Sequence, residues 1–153
     1  MAGSAYDYAL NLLSARAYTT RNLRRKLVQK EFAPAVIESA MERLVSSGLL
    51  DDRRYASEFA RQRLVVSSVS VRRVEQELAR KGIARDVAKD ATAAVVDEEE
   101  VDTVGSMERV ARKKLALLGD LDPAVKRRRL FGFLARRGFE LDDIRRVIDQ
   151  LLL

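Results

Sequence analysis

The sequence predicts an all-α protein built from three tandem three-helix repeats in an elongated, curved array. Three observations predict it. Helix breakers are scarce, with two prolines and seven glycines in 153 residues. Apolar residues recur at i, i+3 and i+4 among abundant Ala, Leu, Arg, Lys and Glu, the signature of amphipathic helices. The chain also repeats itself. An offset of 51 places Leu23 on Val74, Leu27 on Leu78, Lys30 on Lys81, Phe32 on Ile83, Val36 on Val87, Ala40 on Ala91 and Leu44 on Val95. An offset of 107 places Leu23 on Leu130, Leu27 on Leu134, Lys30 on Arg137, Phe32 on Phe139, Ile37 on Ile144, Ala40 on Val147, Met41 on Ile148 and Leu44 on Leu151.

Each unit reads as a first helix of variable length, a middle helix ending in a basic pair plus an aromatic or aliphatic residue, and a third amphipathic helix. The first unit takes residues 1–50. Thr19 is the N-cap of its middle helix, and Lys30-Glu31-Phe32 must turn without a glycine. Its third helix, Ala35 to Val45, puts Ile37, Ala40, Met41 and Leu44 on one face, and Gly48 stops it. The second unit takes residues 51–103. Asp51-Asp52 opens its first helix as a cap, Ser70 caps the middle helix, and Lys81-Gly82-Ile83 supplies a glycine for a left-handed turn. The acidic run Asp97-Glu98-Glu99-Glu100, followed by Asp102, reads as a solvated linker or helix start that ends the unit. The third unit takes residues 104–153, with a cap and N1 proline at Asp122-Pro123 and a glycine turn at Arg137-Gly138-Phe139. A unit of this size has a minimal core, so neighbouring units are expected to pack on one another.

Composition narrows the chemistry. The chain has no Cys and no His, which excludes disulfides, thiolate zinc sites, a thiol nucleophile, the usual general base and the commonest metal ligand. Neither a cofactor nor a catalytic residue is expected. A net charge of +6 and a pI near 9.9 point to polyanions or an acidic protein face. No run approaches the ~18 apolar residues of a membrane span, and the stretch from Met1 to Asp7 lacks the features of a signal peptide, so a cytoplasmic monomer with no membrane partner is the expectation.

At the junction of the first two units stands Gly48-Leu49-Leu50-Asp51-Asp52-Arg53-Arg54-Tyr55-Ala56-Ser57-Glu58-Phe59-Ala60. With Leu23-Arg24-Arg25-Lys26-Leu27, Glu77-Leu78-Ala79-Arg80-Lys81-Gly82-Ile83 and Phe133-Leu134-Ala135-Arg136-Arg137-Gly138-Phe139, this resembles the RecX family, bacterial modulators of the RecA recombinase, over nearly the whole chain. The resemblance implies a regulatory protein of DNA repair, recombination and the SOS response. Such a protein binds the RecA–DNA filament and inhibits recombinase, ATPase and coprotease activities, and is not an enzyme. The chain departs from the family pattern at Glu31, at Asn22, where a capping-box Glu is expected after Thr19, and at Ser67-Ser68-Val69-Ser70-Val71, where glycine and proline are usual.

The basic residues are the candidate contacts. Seven cations against two acids lie between Arg61 and Arg85, among them Arg72, Arg73, Arg80 and Lys81. Lys126, Arg127, Arg128 and Arg129, with Arg136 and Arg137, flank the apolar core of the third middle helix. Arg forks suit phosphates and acidic surfaces alike. Cations at helix C-termini also complement the macrodipole, a sufficient structural reason for Lys30, Arg80, Lys81, Arg136 and Arg137. Four consecutive cations cannot all pair within one helical turn, and Arg72 and Arg73 occupy a first turn where the dipole disfavours them; both facts favour an external anion. Tyr55, Phe59, Phe32, Phe131, Phe133 and Phe139 fall at core-periodic positions rather than forming a base-stacking platform. Direct DNA binding by helix-turn-helix-like modules is the alternative, and a Mg²⁺-dependent nuclease using the acidic run is a remote one.

Overall fold

The computed structural model describes residues 3–153; Met1 and Ala2, part of the N-terminal stretch weighed as a signal peptide, lie outside the described residues. Those residues form nine α-helices and no strand: α1 Ala5–Ala15, α2 Thr20–Gln29, α3 Pro34–Ser46, α4 Asp52–Arg61, α5 Val71–Arg80, α6 Arg85–Glu98, α7 Thr103–Leu117, α8 Pro123–Arg136 and α9 Leu141–Leu151. A π-helical turn, Gln62–Val66, continues α4. The fold is an all-α tandem repeat. No helix among the described residues is long and apolar enough to cross a membrane.

Three apolar cores follow the sequence repeat. Leu23 and Leu27, Val74 and Leu78, and Leu130 and Leu134 are all fully buried, each pair at the heart of its own cluster. Spaced four apart, the two residues of a pair share a helix face, so each middle helix turns one narrow stripe inward. The third helices complete the cores through Ile37, Ala40, Met41 and Leu44, then Ala88, Ala91 and Val95, then Ile144, Val147 and Ile148. The structure refines one pair of the sequence register: Val36 is exposed, and Ile37, Ala88 and Ile144 form the inward set.

Helix starts behave as the side chains dictate. The Thr19, Asp51, Ser70 and Asp122 side chains each accept a hydrogen bond from a backbone N–H of the following first turn. Gly48, Gly82 and Gly138 adopt positive φ at helix ends, as expected. Glu31 makes the same turn at φ 65 without a glycine. The acidic run differs from the linker reading: α6 extends through Glu98, and Arg61 bridges Glu98 at 3.6 Å and Glu99 at 3.0 Å. A neighbouring guanidinium offsets the unfavourable meeting of carboxylates with the C-terminal end of a helix.

The units are joined by one recurring device. The N-cap hydroxyl of one middle helix, while capping its own helix, donates to a carbonyl at the C-terminal turn of the next middle helix. Thr19 Oγ1 donates to the Lys81 carbonyl at 2.7 Å, and Ser70 Oγ donates to the Gly138 carbonyl at 2.8 Å. At the first junction the Arg21 guanidinium also reaches the Arg80 carbonyl, and Asp52 accepts from the Thr20 N–H at 2.8 Å. At the second, the Ser70 N–H donates to the Arg137 carbonyl at 3.1 Å, and the Arg137 guanidinium reaches the Ser67 carbonyl. Glycine is required where these turns receive their neighbour. A Cβ on Gly82 would lie 2.7 Å from Arg21 Cβ, and one on Gly138 would overlap Arg73 Cβ and lie 2.6 Å from Ser70 Oγ. The turn at Glu31 precedes both junctions and receives no such neighbour.

Candidate interaction surface

The ten cations singled out in the sequence divide into those bound within the fold and those left to solvent. Arg72, on the first turn of α5, pairs with Glu140 at 2.7 Å. Arg73 pairs with Glu77 at 3.3 Å, and Glu77 also takes both Arg63 Nη2 at 2.8 Å and Arg63 Nε at 2.9 Å. The unfavourable first-turn placement of Arg72 and Arg73 is thus balanced by acids on α9's N-cap and on α5 itself. Burial alone would raise the Glu77 carboxyl, but the hydrogen bonds and charge of Arg63, together with Arg73, hold it below the ordinary value. The hydrogen bond to Glu77 correspondingly raises the Arg63 pKa against the effect of its own burial.

Arg137 is held at the second junction by the Ser67 carbonyl, with its guanidinium 4.8 Å from the Phe133 ring centre. Lys81 lies over Phe59 at 5.4 Å, while its carbonyl receives Thr19. Arg127 reaches across to Asp149 of α9 at 2.6 Å, resolving part of the four-cation run inside the fold. Lys126, Arg128, Arg129, Arg136 and Arg80 have no carboxylate partner among the described residues.

Three of these free cations converge. Arg128, Arg129 and Arg136 line a cleft between α7 and α8, with Lys114, Leu118 and Gly132 completing it. The cleft measures about 300 Å³ and no acidic residue lines it. Positions 129, 132 and 136 follow the i, i+3, i+7 spacing of one helical face, which brings Arg129 and Arg136 to the same wall with Gly132 between them. Lys114 reaches the cleft from α7 and lies 5.2 Å from the Phe133 ring centre. The sequence reading missed Lys114. Its signal was weak, a lone Lys113-Lys114 pair in a first helix whose register differs from unit to unit, and only the packing of α7 on α8 brings it to the cleft.

The aromatic residues behave as core or junction groups. Tyr55 and Phe59 stack at 6.2 Å between ring centres beside the second core, and Phe131, Phe133 and Phe139 pack against the third. Tyr6 carries the Arg43 guanidinium at 3.7 Å from its ring centre, Tyr8 meets Phe32 at 5.9 Å, and Tyr18 is buried in the first core. The Asp51-Asp52 pair serves structure, one as the cap of α4 and the other as acceptor for the first turn of α2. No group of three or more metal-ligating side chains is gathered among the described residues.

Comparison with known proteins agrees with this architecture unit by unit. Three family models match, described as the first, second and third three-helix domains of RecX, over residues 5–44, 51–91 and 105–148. A protein named regulatory protein RecX from Pelodictyon phaeoclathratiforme is 33% identical, the match covering 99% of this chain and 91% of that one. Another of the same name from Mycobacterium sp. strain KMS is 36% identical over 88% of this chain and 74% of its own. The crystal structure of RecX from Lactobacillus salivarius superposes with a TM-score of 0.75 at 24% identity, covering 96% of this chain and 94% of that one, which shows the shared fold.

Proposed function

The chain belongs to the RecX family of regulatory proteins, and from that premise we propose that it binds the RecA–DNA filament and inhibits its recombinase, ATPase and coprotease activities. The protein acts by occupancy and not by catalysis. Units joined in a row offer several modest contacts at once, which add through effective concentration, and a row lying along the filament excludes a second duplex or a coprotease substrate. It acts as a monomer in the cytoplasm, where the filament forms.

The observation that carries this reading is the set of unpartnered cations on the third unit, Lys126, Arg128, Arg129 and Arg136, left free in a fold that pairs or stacks Arg72, Arg73, Lys81, Arg127 and Arg137. The free set makes the contacts; the Arg72 and Arg137 side chains tie the second unit to the third, those of Arg73, Lys81 and Arg127 are held within their own units, and Arg80 lies on the exposed end of α5. The test is single-stranded-DNA-dependent ATP hydrolysis by the cognate recombinase, titrated with this protein. Inhibition at concentrations that scarcely bind free DNA, weakened about tenfold or more by Arg128→Gln with Arg129→Gln, supports the reading, since losing two charge-assisted contacts is worth at least about 1.4 kcal/mol. Absence of inhibition by the folded wild type refutes it.

A further inference from the structure

Gly132 has no structural reason to be glycine. It lies in the interior of α8 with helical φ, where glycine is disfavoured relative to alanine. A Cβ there would meet only one side chain, its nearest atom Arg136 Nη1 at 3.2 Å. Neither core nor junction excludes a methyl group at this position, whereas the junction excludes one at Gly138. What the missing side chain does provide is room for the Arg136 guanidinium to lie back across its own helix, into the cleft that Lys114, Arg128 and Arg129 share.

From these two observations, the acid-free convergence of four cations and a helix-interior glycine that serves only their placement, we propose that the α7–α8 cleft is an oxyanion site for the phosphates of a nucleic-acid backbone. The proposal rests on the filament reading and assigns this cleft to the nucleic acid of the filament, not to its protein. Planar guanidinium forks on the α8 wall, faced by the Lys114 ammonium from α7, suit the paired non-bridging oxygens of a phosphodiester. An open cleft floored by backbone admits a continuous strand closely. The acidic side chains of a protein arrive singly on carbon stems, and four unneutralised charges in so small a cleft ask for an anion of higher linear charge density.

The test measures binding of a fluorescently labelled single-stranded oligonucleotide to the full chain, as a function of salt, beside inhibition of the recombinase. One variant carries Lys114→Gln, Arg128→Gln, Arg129→Gln and Arg136→Gln. The control carries Arg24→Gln, Arg112→Gln, Arg145→Gln and Arg146→Gln, the same loss of charge from residues already paired on the surface. The cleft variant is expected to lose affinity at least about tenfold and to lower the slope of log K against log salt by about 3, while the control stays within about twofold. Equal losses in the two variants overturn the proposal, because the whole-molecule field then suffices. Unchanged DNA binding with lost inhibition also overturns it and gives the cleft to an acidic protein surface, leaving the filament reading standing. If neither binding nor inhibition changes, the cleft drops out of both. Gly132→Ala gives an independent arm: it should unfold at higher denaturant concentration and yet bind the strand more weakly, whereas a purely structural glycine would show no loss of binding.

Discussion

Gly138→Ala tests the junction between the second and third units. An alanine at φ 87 is in a conformation that L-residues adopt at a cost of about 1–2 kcal/mol, of which the stiffer unfolded chain returns about 0.4–1 kcal/mol. That term alone applies at Gly48, where φ is 75 and no atom lies within 4 Å of a Cβ, so Gly48→Ala should cost about 1 kcal/mol. At Gly138 two further terms enter. The new methyl displaces Ser70 Oγ, 2.6 Å away, and so breaks its bond to the Gly138 carbonyl, worth about 1 kcal/mol. It also overlaps Arg73 Cβ, an atom that no rotamer change can move, so α5 must shift and overpacking adds about 1–3 kcal/mol. The total is about 3–5 kcal/mol, a large share of the stability of an ordinary domain. The loss is confined to one interface, so urea unfolding followed by circular dichroism should show the third unit melting ahead of the first two. Equal destabilisation by Gly48→Ala and Gly138→Ala would refute the account, for the steric contact between units would then carry no weight.

Two further substitutions separate local from inter-unit effects. Glu31 occupies the same turn with φ 65 and no unit docked on it, so Glu31→Gly should stabilise the protein by about 0.5–1 kcal/mol, the relieved strain less the greater freedom of the unfolded chain; a lower urea midpoint would contradict this. Glu77→Gln should cost about 1.5 kcal/mol at neutral pH by weakening the bonds to Arg63 and Arg73. Because the folded carboxyl titrates below its ordinary value of 4.5, its stabilisation is complete above that pH and disappears as the pH falls through the folded value. The gap between wild type and Glu77→Gln should therefore close in acid, and a constant gap down to pH 2 would show that packing, not charge, is what the variant loses.

The cores were legible in the sequence because burial is periodic. Leu23, Leu27 and their counterparts at offsets of 51 and 107 sit inside because a middle helix has only one stripe to turn inward, and an offset that preserves the stripe preserves the core. The caps were equally plain, since a hydroxyl or carboxylate before a run of helix formers satisfies N–H groups that have no other partner. The pairing of the cations was not legible. Arg127 and Arg129 belong to one unbroken basic run, yet Arg127 meets Asp149 across α9 and Arg129 meets no acid, a difference set by the packing of α8 between its neighbours. Nor could the sequence show that Asp52, adjacent to a cap, would accept from the first turn of α2, because that contact crosses from one unit to the next.

The fate of the basic residue before each turn shows how a repeat can hold its fold while freeing chemistry for function. Lys30, Lys81 and Arg137 are equivalent, and each lies over an aromatic ring: Tyr8, Phe59 and Phe133. Lys81 and Arg137 are further tied because a neighbouring helix start docks on their turns, and that docking demands the glycine which follows each of them. Nearly two helical turns earlier on the third middle helix the demand is absent. Gly132 nevertheless keeps its hydrogen, and Arg128, Arg129 and Arg136 keep their charges unpaired. A glycine imposed by contact between units and a glycine that leaves room for a guanidinium look alike in sequence, but replacement by alanine separates them: the first change should loosen the array, and the second should tighten it while weakening its hold on an anion.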